Sequence, residues 1–395
     1  MSAEGEAIRS NDYRKDTTVK APSTRPAAVL GLDVGKSSHW ACLIDRGGEV
    51  LASAPVRNRE GALDALFSSA PAGTLVVVDQ FRNIGSLAVR RARAAGLAVA
   101  YLPGLAASRA AGLFAGEAKT DERDAEVIAR TALGVPDSLS GVPGRGEALE
   151  AARALSSQRD HVVACATRDK NRLRAVLLES CPALEAAVDL SDRRWLELLA
   201  GFGGAWGIAR SGAEGPQAEA AGEAAAASTA PPPALVEAEN RQVRFLAARI
   251  SEALDEAGAL EAETAGLLEG DETYACLLTV PGIGPRTAAQ LAVSVDIARF
   301  PDHDHLASYC GIAPRVRSSG TSVRSVRASR RGDARLKSLL IFSCNSLVRS
   351  SGRYGEYYRA CRARGMGHGR ALKAVARKRL RAIYAVMRDR VPYRE

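Results

Sequence analysis

The sequence predicts a mixed α/β sheet domain, then a pair of long helices, then a mainly helical and strongly basic C-terminal domain. Three observations carry this. Short apolar runs separated by turns fill residues 27–103. Apolar residues recur with helical period over 146–180 and 234–269. Residues 311–395 hold 22 Lys+Arg against 4 Asp+Glu, while the rest of the chain carries a net charge of −9.

A chain of 395 residues suffices for two or three domains, and an apolar fraction of 46% supplies their cores. No apolar stretch reaches membrane-spanning length. Residues 1–26 are polar, lack the apolar centre of a signal peptide and are expected to be a disordered leader. The seven cysteines are an odd count with no CxxC pair, which argues against a disulfide framework and against zinc. The expected location is cytoplasmic. A basic C-terminal part on an acidic remainder is the pattern of a polyanion-binding surface.

The sheet domain is placed at 27–140. Strands are expected at 27–34, 38–45 and 48–56, with Gly35-Lys36-Ser37-Ser38 turning the first hairpin. Asp33 sits in the first apolar run, where a carboxylate costs free energy unless it is paired or binds a cation. A helix at 60–69 leads to the buried run Thr74–Val78 and then to Asp79. A helix at 84–95 stops at Gly96, and Leu97–Leu102 is a further strand. Thr120 is a good N-cap for the next helix, and Asp121 and Asp124, three apart, share one of its faces.

The helical arm is placed at 146–269, coiled-coil-like and interrupted by the Ala/Gly/Pro-rich stretch 201–234, which is expected to be a flexible insertion. The C-terminal domain is placed at 271–395. Its VPGIGPRTA turn, with Gly282, Gly284 and Arg286, opens backbone N–H groups toward a phosphate. It resembles the helix-hairpin-helix module of non-specific DNA-binding proteins. Arg315, Arg317, Arg324, Arg327, Arg330 and Arg331 flank a small-residue loop, a phosphate cradle by composition. Helix 334–348 follows. Helix 368–389 carries Arg370, Lys373, Arg377, Lys378, Arg379, Arg381 and Arg388 among apolar residues, so that one side packs and the other tracks a nucleic-acid backbone.

Asp33, Asp79, Asp121 and Asp124 recur where such a sheet domain would converge them. Gathered carboxylates repel one another unless cations intervene, and hard divalent ions with oxygen ligands promote substitution at phosphorus.

The GLDVGKSSHW, VVVDQ and KTDERDAEVIA segments resemble the RuvC-like, ribonuclease-H-type catalytic domain of the DEDD insertion-sequence transposases (insertion-sequence 110 type), relatives of the Piv DNA invertase. VPGIGPRTAAQLAVSV and RFPDHDHLASYCGIAPRVRSSG resemble the same family's C-terminal transposase domain. The second acidic position, usually Glu in that family, is Asp79 here. The resemblance implies magnesium (or manganese) on Asp33, Asp79, Asp121 and Asp124, and a serine that forms a covalent phosphoserine intermediate with DNA. The matching residue is Ser319, with Ser318 beside it. It also implies a structured non-coding guide RNA, a homodimer or homotetramer, and a nucleoid-associated bacterial location.

Three rival readings make different predictions. A RuvC-like, structure-selective junction endonuclease would cut DNA without Ser319. An actin-like sugar or acetate kinase would need a second Asp-x-Gly-Thr loop, and the sequence has none. A non-catalytic nucleic-acid-binding protein would be indifferent to Asp33→Ala.

Overall fold

The structure, a computed structural model, describes residues 26–114, 120–142, 144, 146–319, 323–328 and 332–394, with backbone alone in 314–319 and 323–328. The chain divides into two compact units, 1–144 and 145–395. Residues 1–25 of the expected leader lie outside the described residues.

The first unit runs β1 (Ala28–Asp33), β2 (Ser38–Asp45), β3 (Val50–Arg57), α1 (Glu60–Ser69), β4 (Thr74–Val78), α2 (Ser86–Ala94), β5 (Ala98–Tyr101), α3 (Gly104–Ala111), α4 (Asp121–Gly134) and β6 (Ser140–Gly141). The strands form one sheet in the order β3-β2-β1-β4-β5-β6. β1 is antiparallel to β2 and parallel to β4, and β4 is parallel to β5. The central strands are buried on both faces, as parallel strands are, so Leu30, Leu32, Val76 and Val78 meet one apolar cluster while Val29, Leu75 and Val77 meet another. Leu63 and Phe67 of α1 and Ala88 and Val89 of α2 complete the first cluster. Ala125, Ile128 and Ala129 of α4 complete the second.

Gly31 sets how closely α4 approaches the sheet. A Cβ there would lie 2.4 Å from the Ala125 carbonyl oxygen and 2.7 Å from the Ala129 nitrogen. The helix starts where the sequence predicts, with the Thr120 hydroxyl accepting the Arg123 N–H at 3.3 Å.

The second unit begins with α5 (Glu147–Ser180). It continues through α6 (Pro182–Ala187), α7 (Arg193–Phe202), α8 (Ala205–Ser211) and α9 (Pro216–Ala226) to α10 (Pro233–Leu267). α5 and α10 lie antiparallel, as the ion pairs Arg159–Glu261 (2.7 Å) and Asp169–Arg249 (3.1 Å) require. The expectation of a flexible insertion at 201–234 is overturned. The stretch folds into α8 and α9, and Ala218, Ala221, Ala224 and Ala225 pack with Leu173 and Leu177 of α5, Leu196 and Leu199 of α7 and Val243 and Ile250 of α10. Small side chains let these short helices approach closely. Gly203, at φ +93°, leaves room for Asn240, whose Oδ1 accepts the Gly204 N–H at 2.8 Å.

Next come α11 (Glu272–Leu278), α12 (Pro285–Ser294), α13 (His303–Tyr309), β7 (Pro314–Ser319), β8 (Val323–Ala328), α14 (Ala334–Phe342), α15 (Asn345–Val348), α16 (Arg353–Ala363) and α17 (His368–Asp389). The foot of the α5/α10 pair joins this region in one core, where Ala152 and Leu268 pack among Leu277, Leu291, Leu306, Leu336, Val375 and Leu380. The helix expected over 334–348 breaks at Ser343-Cys344. The break frees carbonyls for Arg379, which donates to Ser343 O at 3.0 Å and Leu340 O at 3.2 Å. Among the described residues no helix is long and apolar enough to cross a membrane.

Candidate active site

Asp33 closes β1 and Asp79 follows directly on β4. Leu32 and Val78 are partners in the parallel ladder, so the two aspartates leave the same end of adjacent strands. Asp79 Oδ1 accepts the Val34 N–H at 3.1 Å. Burial pushes the Asp79 carboxyl above the usual carboxylate range. The N–H groups of Val34, Asp79 and Gln80 oppose the rise, and the Asp124 charge adds to it. The charge of Asp124, one turn into α4 beside the Gly31 contact, thus reaches Asp79. Asp121, the first residue of α4, is exposed. Among the described residues no group of three or more His, Cys, Asp and Glu side chains could hold a metal ion as it stands. The donor chemistry nonetheless suits a hard cation, being carboxylate alone, with one member penalised for its charge by burial.

His39 belongs to this end of the sheet and escaped sequence reasoning. It is buried, and its Nδ1 accepts the Gly35 N–H at 3.2 Å, which fixes the turn that follows Asp33. Burial lowers its pKa and the neighbouring Asn58 side chain opposes that shift, so burial favours the neutral ring. The Asn58 amide also donates to Lys36 O at 3.1 Å, holding the same turn. A lone His inside the strand pattern SHWACLID was the available signal.

In the second unit the presumed arginine-flanked loop is largely an antiparallel ladder. Ser319 pairs with Val323, Ser318 with Arg324, Arg317 with Ser325 and Arg315 with Arg327. The correction has a physical reason: the β-branched Val316, Val323 and Val326 favour strand, and neither 315–319 nor 323–327 holds a Gly or Pro to break it. Residues 320–322 and Arg330 and Arg331 lie outside the described residues, and Ser318, Ser319, Arg315, Arg317, Arg324 and Arg327 are described by backbone alone.

The PGIG turn divides its roles. Gly282, at φ +75°, faces inward, and a Cβ there would meet Leu347 Cγ at 2.8 Å and Arg379 Nη1 at 2.9 Å. Gly284 is the N-cap of α12, and a Cβ there would meet open space. On α17, Lys378 is exposed with its Nζ 4.3 Å from the centre of the Tyr357 ring. Lys373 is half-buried, and Arg377 pairs with Asp304 at 3.0 Å. Arg370 and Arg381 are exposed. Arg379 does not belong to that basic face: it is fully buried, with its guanidinium on Pro281 O, Ser343 O, Leu340 O and Ser343 Oγ.

A transposase family model with a DEDD core matches residues 30–182, and the model of the IS116/IS110/IS902 transposase family matches residues 274–359. The 43.6 kDa protein of insertion element IS110 from Streptomyces coelicolor is 35% identical over 379 residues, taking in 91% of this chain and 94% of the relative. The 44.8 kDa protein of insertion element IS116 from Streptomyces clavuligerus is 29% identical, taking in 93% and 96%. The pilin gene-inverting protein of Moraxella bovis is 35% identical over 124 residues, covering 30% of this chain and 37% of the relative.

Proposed function

The chain belongs to the IS110 family of insertion-sequence transposases, and from that premise we propose that it cuts and rejoins DNA through a covalent phosphoserine intermediate at Ser319. The observation that supports the catalytic half is that Asp33 and Asp79 leave the same end of adjacent strands, with burial and the Asp124 charge acting on Asp79. The mixed sheet and its order suit a RuvC-like, ribonuclease-H-type domain.

Asp33, Asp79, Asp121 and Asp124 would hold magnesium or manganese, which when bound neutralises charge at phosphorus and acidifies a coordinated oxygen. The side chains do the rest. Asp79 and His39 fix the turn after Asp33, which sets where that carboxylate stands. Ser319 Oγ attacks the DNA phosphorus and gives up its proton. The bond from phosphorus to the departing sugar oxygen breaks, and that oxygen takes a proton. Rejoining reverses the step on a second strand. A serine hydroxyl needs activation for this, and Arg315, Arg317, Arg324 and Arg327 lie along the same two strands to balance charge at the phosphate.

Gly284 at the open start of α12, a helix-hairpin-helix-like turn, together with Arg286, Lys373 and Lys378, would track the DNA backbone. The arginine excess of residues 311–395 also suits a structured guide RNA. Strand exchange needs more than one active site, hence a homodimer or homotetramer. The test is to trap the protein on DNA, digest it and map the modified residue. A phosphopeptide containing Ser319, absent when Asp33 is Ala, supports the reading. DNA cleavage with no protein-linked strand sinks it in favour of a junction endonuclease.

A further inference from the structure

The second unit contains a cavity of about 290 Å³ walled by α5, α10, α12 and α14. Its charged wall is short of carboxylate. Arg159 pairs with Glu261 at 2.7 Å and with Asp160 at 3.2 Å. Arg335 pairs with Asp160 and donates to Ser156 O at 2.6 Å. Two carboxylates are therefore already shared by two guanidinium groups. Arg286, the third in the wall, makes no hydrogen bond or close ion pair among the described residues. Desolvation, then the charge of Arg159, holds its pKa below the usual guanidinium value, as suits a cation waiting for an anion.

The lining also has an apolar part, Ala289 on α12 and Leu339 and Phe342 on α14. Phe342 is 66% exposed, high for so large an apolar side chain. Two of the neutral polar side chains in the lining have partners: Thr264 Oγ1 donates to Leu260 O at 2.7 Å, and the Gln290 amide bonds Ser294. The cavity thus offers the Arg286 charge and the face of an exposed aromatic ring. A ligand that matches is flat and apolar on its faces and anionic at its edge.

We propose that this cavity receives one unpaired nucleotide of a bound strand, with its base against Phe342 and its phosphate on Arg286. Stacking with a single phosphate contact tolerates any base, so the cavity selects for an unpaired nucleotide rather than for a sequence. The inference rests on the reading of the chain as a DNA-acting enzyme. A nucleotide is favoured over an acidic, aromatic peptide because the chain beyond residue 310 is strongly basic.

The experiment uses the full chain and two duplexes: one fully paired, the other carrying a single bulged 2-aminopurine. The wild type binds the bulged duplex roughly tenfold more tightly, the worth of one base stacked on an aromatic ring, and quenches its fluorescence. Phe342→Ala loses the preference and the quench while its affinity for the paired duplex stays the same. Phe342→Trp keeps both. No preference in the wild type, or a preference and quench that survive in Phe342→Ala, overturns the proposal. A change of oligomeric state in Phe342→Ala with the preference intact assigns the cavity to a second copy and overturns it too. Failure to bind either duplex overturns the DNA reading itself, and this inference with it.

Discussion

Asp79 reaches across from the end of one strand to hold the chain leaving the next: its Oδ1 accepts the backbone N–H of Val34 at 3.1 Å. The carboxylate is therefore a structural brace for the Asp33 turn as well as a candidate ligand. Asn can keep the brace and remove the charge. Burial raises the Asp79 pKa above its unfolded value, so ionisation costs the fold stability. That cost is absent below the unfolded pKa and fully present above the folded one. In chelator, Asp79→Asn should melt above the wild type at pH 8, and the gap should close as the pH falls toward about 4. It should also be inactive in strand transfer. A lower melting temperature than wild type at pH 8 would refute the account of the buried charge.

Gly31→Ala tests how α4 is seated. The added methyl would lie 2.4 Å from the Ala125 carbonyl oxygen, which is backbone and cannot swing away. The helix must shift off β1, carrying Asp121 and Asp124 with it. Urea unfolding should show a loss of about 1–3 kcal/mol, as for overpacked cores. Strand transfer should fall further than the loss of folded protein accounts for. Wild-type stability and activity in this variant would show that the contact does not set the helix position.

Ser319→Ala should abolish the protein–DNA adduct and lower strand transfer by at least about a thousandfold. DNA binding, measured by anisotropy, should stay within about twofold of wild type, since one neutral hydroxyl contributes little to phosphate-dominated affinity. Ser318→Ala is the control. If the adduct disappears in that variant and survives in Ser319→Ala, the nucleophile is Ser318.

Arg379 is buried with no carboxylate partner among the described residues, held by carbonyl groups and one hydroxyl. Arg379→Ala takes the guanidinium donor from the Pro281 and Ser343 carbonyls and opens a hole beside Gly282. It should cost about 3–5 kcal/mol in urea unfolding. Arg379→Lys should restore less than half of that, because an ammonium lacks the planar fork whose Nη1 holds the Pro281 and Ser343 carbonyls while its Nη2 holds the Leu340 carbonyl. Full rescue by Lys would mean that charge alone matters at this position.

Cysteine reactivity should single out one position. Burial pushes the Cys310 thiol up to about 12 and the Cys42 thiol up to about 11, and Cys181, Cys276, Cys344 and Cys361 are buried as well. Cys165 is the partly exposed one, with Arg168 Nη2 at 3.0 Å from its sulfur. A disulfide reagent at pH 8 should label Cys165 in the native protein and all seven cysteines after denaturation. Rapid native labelling at Cys310 would contradict the packing of the C-terminal core.

The sheet was legible because its strands are short apolar runs bounded by turn residues, and Thr120 announced α4 by its hydroxyl. Asp33 and Asp79 stood out as acids ending apolar runs, and Asp121 and Asp124 as acids in the first turn after Thr120. The segment 201–234 was not, because alanine gives no amphipathic pattern. Ala221 and Ala224 are buried because they are small enough for close helix contact, a property hydropathy does not register. Arg379 was misplaced for a related reason. Within a run of basic residues, sequence cannot say which one turns inward. The broken helix end that receives it comes from α14, and its Pro281 contact from the turn before α12.

That same arginine orders events in time. The PGIG turn is anchored by a residue 98 positions further along the chain. The carbonyls of that turn and of the end of α14, and the core among α11, α12 and α14, take their last partners from α17. A chain interrupted before residue 379 therefore has a finished sheet unit but no locked C-terminal core. In this transposase-family chain, the C-terminal core thus depends on a helix that is the last to be synthesised.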